Sequence, residues 1–264
     1  MKKLLIIMAV FSLLLVGCGT KSTKTDWDYI QSKGEMIIGF TYYAPMGYLD
    51  ETGKLIGFDV EFAEAVCEKL GVKPKFQVID WEAKENELKA YNIDAVWNGL
   101  TATVERAKNM DLSSNYLINR NVAIVRAGEV ELYKTADDLK GKRVIAGKGT
   151  PSEEFALNDP FFSKAEFAAI DVQGKIFMEL AAGTADIGIG DYVMAMVSTG
   201  EGTDFKNLTI SPYWKAGDEE YAIAFRKGSP ETLEKINNVI EEFKADGTLE
   251  KIAAKYKLSD LLIK

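Results

Sequence analysis

Histidine is absent from the 264 residues. That excludes His-dependent catalytic triads, imidazole general bases and His metal sites together. Cysteine is nearly as scarce, with Cys18 and Cys67 the two in the chain, so thiolate metal sites lack ligands and neither a metal nor a cofactor is expected. Positive charge is also in deficit. The formal net charge is −8, and the acidic surface argues against nucleic acid and anionic lipid as partners. Long apolar runs are missing too, apart from Leu4 to Val16, about 13 residues and well short of the ~20 that a spanning helix needs.

That run follows Lys2-Lys3 and ends in Leu15-Val-Gly-Cys18, then the polar Gly19 to Thr25. A basic start, a short apolar centre and small residues at its end read as an export leader, not a fold element. The Leu-Val-Gly-Cys order resembles the lipobox of bacterial lipoproteins, which implies cleavage before Cys18 and lipidation of its sulfur. The alternative is an ordinary signal peptide with an incidental cysteine. Residues 1–17 are thus expected to be the leader and 18–25 a lipidated cysteine with a flexible tether, leaving the protein extracytoplasmic and anchored to the cell membrane. Removal of Lys2 and Lys3 takes the formal charge to −10. Cys67 then has no partner for an intramolecular disulfide. It sits on the apolar face of Gly57 to Gly71, where Phe62, Ala65, Val66 and Leu70 recur at helical spacing, Asp59 is a plausible cap and Gly71 a plausible stop. It reads as a small buried hydrophobe.

Roughly 240 mature residues allow one large domain or two lobes. Met36 to Phe40 reads as a strand, 57–71 as a helix, Lys75 to Ile79 as a strand, Glu82 to Tyr91 as a helix, and 93–98 as a strand. A second series follows: strand Lys142 to Ala146, helix Ser152 to Leu157, strand Glu166 to Ile170, helix Lys175 to Ala182, strand Ile187 to Ile189. Such alternation predicts α/β architecture, with mainly parallel sheets covered by helices. Asp94 to Gly99 and Asp186 to Asp191 occupy matching places in the two series. This fits two lobes presenting strand ends to a shared cleft. Asn121 to Val125 and Tyr221 to Phe225 are candidate crossings between them. The C-terminal region carries Ser229 as cap, Pro230 at the first helical position and Gly247 as stop, then a second helix over Leu249 to Tyr256.

The most informative stretch is Ile93 to Arg106. Its apolar run stops at Gly99 and is followed by Thr101, Thr103 and Arg106. In open α/β sheets, ligands sit at strand carboxyl ends. A guanidinium fork, hydroxyls and a free carbonyl together suit a small zwitterion. A surface Arg after a strand is the plainer alternative.

From Ile37 to about Tyr256 the motifs fall in a familiar order. They are Gly39 to Met46, Gly53 to Val60, Ile79-Asp-Trp81, Ile93 to Arg106, Asp138 to Val144, Gly147 to Thr150, Gly183 to Ile187 with Asp191, and Ala245 to Leu249. In this the chain resembles the solute-binding proteins of bacterial polar amino-acid importers of the ATP-binding-cassette type. The resemblance implies a two-lobed, type II periplasmic-binding-protein fold that closes around one amino acid. Lobe 1 is expected over 26–120 plus 222–264, and lobe 2 over 121–221. It implies Arg106 as the carboxylate's partner and Asp191 as the ammonium's, the latter against a helix-capping role. Gly99 would add its carbonyl and Thr101 its hydroxyl to the ammonium, and Thr150 would help hold the carboxylate. Tyr43 and Trp81 match the aromatic walls. Pro151 departs from many relatives, which have a residue with a backbone N–H there, so Ser152 is the candidate replacement. Thr150 to Glu153 also reads as a capping box, and both readings can hold at a helix start.

The segment Phe40-Thr-Tyr-Tyr43 lacks the acid that relatives taking basic amino acids tend to place before Pro45. A buried unpaired cation is costly, so the expected side chain is polar and uncharged rather than that of Lys or Arg. Lys84 either touches the ligand or is a solvated residue on its helix, and Trp97 either lines the cleft or packs beneath it. The expected partners are a free amino acid, a permease with its ATPase, and the membrane through the lipid anchor, with the protein itself a monomer. Two rivals on the same scaffold are a cyclic-acid dehydratase, which needs a cleft carboxyl as general acid, and a ligand sensor.

Overall fold

The computed structural model describes residues 25–264. The leader, Cys18 and residues 19–24 lie outside the described residues. Thr25, read above as tether, instead caps α1 (Asp26–Lys33): its hydroxyl accepts from Asp28 N–H at 3.1 Å while its own N–H donates to the Asp28 carboxylate at 2.9 Å. Among the described residues no helix is long and apolar enough to cross a membrane.

Among the described residues nine strands form the main sheet: β1 (Glu35–Phe40), β2 (Lys73–Val78), β3 (Ala95–Thr101), β4 (Met110–Leu112), β5 (Leu117–Arg126), β6 (Arg143–Gly147), β7 (Glu166–Ile170), β8 (Ile187–Asp191) and β9 (Leu208–Arg226). Their order is β2-β1-β3-β9-β5-β8-β6-β7, with β4 pairing onto β9. Within β2-β1-β3 and within β8-β6-β7 the strands are parallel, as strand–helix alternation requires. Between these halves β5 and β9 run antiparallel to each other and to their outer neighbours. The expected crossings are therefore central strands. β9 extends over 19 residues, far beyond the five read from sequence, because shifts of register near Lys215 let it serve both halves.

Helices α2 (Phe58–Leu70), α3 (Lys84–Lys89), α4 (Val104–Asn109), α5 (Pro151–Asn158), α6 (Ile176–Ala182), α7 (Tyr192–Ser198), α8 (Pro230–Ala245) and α9 (Thr248–Lys255) complete the fold. α8 and α9 return to pack on α2 in the first half. α2 buries Phe58, Phe62, Val66 and Cys67, and Gly71 ends it in the left-handed region at φ 71°. Burial pushes the Cys67 thiol up to about 12, consistent with an inert core residue.

Three expected caps are corrected. Asp59 is buried inside α2, where its carboxylate accepts from Gly99 N–H at 2.6 Å and from the Tyr116 hydroxyl at 2.9 Å. Gly57 takes the cap position at φ 142°, where any Cβ would lie 2.2 Å from the Met46 carbonyl oxygen. Ser229 begins α8 without capping it through its side chain. The Asp111 carboxylate accepts the Gly228 and Ser229 N–H groups instead, at 2.8 and 2.7 Å. Gly247 lies one residue beyond the α8 cap Asp246 and leads α9. The third cap is the Thr150 box, described with the site.

Candidate functional site

Every parallel strand delivers residues to one cleft at its carboxyl end, where open α/β sheets place ligands. Thr41 and Tyr43 follow β1, Trp81 follows β2, and Asn98, Gly99 and Thr101 close β3. From the other half come Gly147 at the end of β6 with Lys148, Thr150 and Pro151 beyond it, Asp171 and Gln173 after β7, and Asp191 at the end of β8. About 480 Å³ of space lies between the cleft's walls, counted out to the open solvent at its mouth.

Arg106 enters from α4. Thr103 caps that helix, its hydroxyl accepting the Arg106 N–H at 3.1 Å, so Thr103 orients the arginine rather than lining the cleft. The guanidinium donates to the Thr101 carbonyl at 2.8 Å and across the cleft to the Gly149 carbonyl at 3.2 Å. Burial lowers its pKa from the ordinary value.

Asp191 occupies the cap position of α7, yet its carboxylate makes no bond to that helix. Asn119 fills part of this role, its Oδ1 accepting the Val193 N–H at 3.3 Å. The Asp191 oxygens instead accept from Tyr43 Oη at 3.0 Å, Gln173 Nε2 at 2.9 Å and Asn119 Nδ2 at 2.7 Å. Burial raises its pKa while these bonds oppose the rise. Tyr43 is thus more than a wall: it bonds Asp191 and lies 2.9 Å from the Tyr221 hydroxyl.

Gly99 has φ 58°, and a Cβ there would stand 2.7 Å from the Tyr43 ring and 3.0 Å from that of Tyr221. The β3–β9 ladder jumps from Ala222 opposite Leu100 to Ala224 opposite Val96. That bulge takes Asn98 and Gly99 out of the pairing and turns them to the cleft.

The hydroxyls read as ligand contacts are partly committed. Thr101 donates to Glu219 at 3.1 Å. Thr150 donates to the Gly147 carbonyl at 2.6 Å, and Glu153 accepts from Gly149 N–H at 2.7 Å, so the capping box does not form. Ser152 is buried against Asn121, donates to its Oδ1, and does not line the cleft. Trp81 does line it, with its indole N–H buried and unpartnered.

Lys84 is buried rather than solvated, correcting that reading. Its Nζ donates to the Trp81 carbonyl at 3.0 Å and lies 5.0 Å from the Trp81 ring centroid. Burial, then Arg106, push it down to about 8. Trp97 resolves as core, edge-on to Phe62 with centroids 5.0 Å apart.

Sequence reasoning missed Asn98, Asp171, Gln173, Asn119 and Glu219. Asn98 Oδ1 accepts the Thr41 N–H at 3.0 Å and its hydroxyl at 2.9 Å, which fixes the amide and leaves Nδ2 without a partner. Asn119 and Asn121 alternate along β5 and are fully buried. Two asparagines on the inner face of an apolar strand were the signal available. Among the described residues no cluster could hold a metal ion. Chemically, the cleft sets a guanidinium against a carboxylate from the opposite half.

Comparison with known proteins places the chain. Residues 36–259 match the bacterial extracellular solute-binding proteins, family 3. The L-cystine-binding protein TcyJ of Escherichia coli K12 is 30% identical over 259 residues, 97% of this chain and 96% of that protein. An ancestral arginine-binding protein, solved with arginine, is 35% identical with a TM-score of 0.77, covering 84% of this chain and 98% of its own. An ABC uptake transporter substrate-binding protein from Streptococcus pneumoniae, solved with histidine, is 28% identical with a TM-score of 0.81, covering 91% and 99%.

Proposed function

The chain belongs to family 3 of the bacterial extracellular solute-binding proteins, and from that premise we propose that it captures a free polar L-amino acid between its lobes and delivers it to an ABC permease with its ATPase. The observation that carries this reading is the pair Arg106 and Asp191, buried and facing one cleft from opposite halves. A planar donor fork suits the α-carboxylate and a buried carboxylate suits the α-ammonium, so one zwitterion satisfies both and links binding to closure.

In this reading Gly99 and Thr101 complete the ammonium subsite, and Thr150 with the first turn of α5 supports the carboxylate. Ser152 stands behind that turn, its hydroxyl engaged with Asn121. Tyr43 and Trp81 enclose the side chain. Lobe 1 comprises 26–120 and 222–264, lobe 2 comprises 121–221, and the monomer is tethered through lipidated Cys18 after loss of residues 1–17. The ligand's side chain is polar and uncharged: the unpartnered donors of Asn98 and Trp81 call for an acceptor. The acids lining the cleft are Asp171 and the already committed Asp191. The protein binds and does not turn its ligand over.

The test is the melting temperature of residues 25–264 with each amino acid, including cystine and ornithine, for wild type and Arg106→Ala. A ligand near 1,000 times its Kd adds about 4 kcal/mol, a shift of several degrees. We expect a small chemical group of amino acids to shift the wild type and none to shift folded R106A. No shift with ligand-free, folded wild type rejects the reading; equal shifts in R106A reject the site.

A further inference from the structure

Glu219, at the middle of β9, is joined to the cleft without lining it. Its Oε1 accepts from Thr101 Oγ1 at 3.1 Å and from Asn119 Nδ2 at 2.6 Å. The same Asn119 nitrogen donates to Asp191 Oδ1 at 2.7 Å. Two carboxylates therefore share one amide donor, directly behind the residues assigned to the ammonium. Asp191 has two further donors, Tyr43 and Gln173, which makes it the better-solvated anion of the pair. Burial, then the charge of Asp191, push Glu219 up to about 7. The groups facing it are Asp191 from β8, Arg106 from α4, and Tyr43 and Tyr221 around the shared network. Its neighbours on β9 are occupied elsewhere, Asp218 with Arg120 and Glu220 with Asn115.

We propose that Glu219 is a positioning residue that sets the charge of the ammonium subsite, acting through Asn119 and Thr101 to make it dianionic and so selective for ligands that carry a cationic amine there. This rests on the amino-acid reading above. An empty dianionic subsite is repulsive, and a bound ammonium relieves it. Binding a cation beside Glu219 lowers its pKa, so by linkage affinity falls as pH drops through about 7 and the carboxylate protonates.

Glu219→Gln keeps an oxygen for Thr101 and Asn119 and removes the charge. Without amino acid, a carboxylate whose folded pKa is raised contributes stability that is present below the unfolded value of about 4.3 and lost as pH rises to the folded one, so E219Q should melt above wild type at pH 7.5 and level with it at pH 4. Calorimetry with L-cystine and L-glutamine, whose side chains are polar and uncharged, should show E219Q binding about tenfold more weakly at pH 7.5. Wild type should lose about fivefold from pH 7.5 to 5.5, while E219Q stays flat and Glu219→Asp keeps the wild-type profile. Equal affinities and profiles for wild type and E219Q overturn the assignment alone. So does an E219Q that melts below wild type at pH 7.5, which marks a purely structural role. If neither probe nor any other amino acid binds wild type, the amino-acid reading itself has failed.

Discussion

Lys84 shows how a single residue can escape a sequence reading. Its neighbours Glu82, Glu85 and Glu87 mark a solvated helix face. The short turn Trp81–Ala83 before α3 rotates that face, so the lysine stem lies under Trp81. With no carboxylate bonded to it, the amine is held below its ordinary value, at about 8. The unfolded chain therefore binds more protons between about pH 8 and pH 10, and stability rises with pH across that window. Lys84→Met should raise the melting temperature at pH 7 by a few degrees, for a gain of about 1–2 kcal/mol, and the gain should vanish near pH 10. A variant less stable at pH 7 would show that the bond to the Trp81 carbonyl outweighs the desolvated charge. Arg106 and Gly99 both face the cleft, and they were legible because the run Ile93 to Arg106 marks where a strand stops and the family resemblance singled out both. Asp59 and Ser152 were misplaced because a short polar side chain near a helix start has two good partners, the helix amides and another strand, and tertiary packing chooses.

At the scale of elements, α4 and α7 start the same way, each after a strand end, and solve their caps differently. α4 uses its own Thr103, which fixes the first turn and with it Arg106. α7 begins at Asp191 but borrows Asn119 from β5, which leaves the aspartate for the cleft. Thr103→Ala removes a cap worth about 1 kcal/mol, so the melting temperature should fall by about 2–4 °C. Affinity measured by calorimetry should fall several-fold as Arg106 loses its orientation, and Thr103→Ser should restore both. Unchanged affinity would separate the cap from the binding site. Strand–helix alternation placed the elements of the two parallel halves to within two or three residues at their ends, because period and turn residues are local signals. The central antiparallel pair was legible only as isolated apolar runs. Nothing local marks the 19-residue length of β9, since its middle is polar and its register is set by β5 across the sheet.

For the whole molecule, contacts across the cleft differ in what they contribute to closure. Lys148 and Glu82 meet at 2.5 Å, but each is nearly half exposed. Such a pair is worth about 0–1 kcal/mol and is screened by salt. Tyr43 and Asp191 meet inside the cleft, both more than nine-tenths buried, where a charge-assisted bond is stronger and its loss leaves a carboxylate short of a donor. Closure without ligand should therefore depend on the buried contact and hardly on the exposed one. Small-angle scattering of the amino-acid-free protein should give a larger radius of gyration for Tyr43→Phe than for wild type, and no change for Lys148→Ala. Saturating amino acid should bring all three to one value, because a ligand held by both lobes supplies the missing link. Affinity should follow the same order: a protein that spends less time closed binds more weakly in proportion, so Y43F loses several-fold while K148A stays within about twofold of wild type. Equal radii for Y43F and wild type without ligand would mean that the sheet crossing of β5 and β9, rather than the cleft contacts, sets the angle between the lobes.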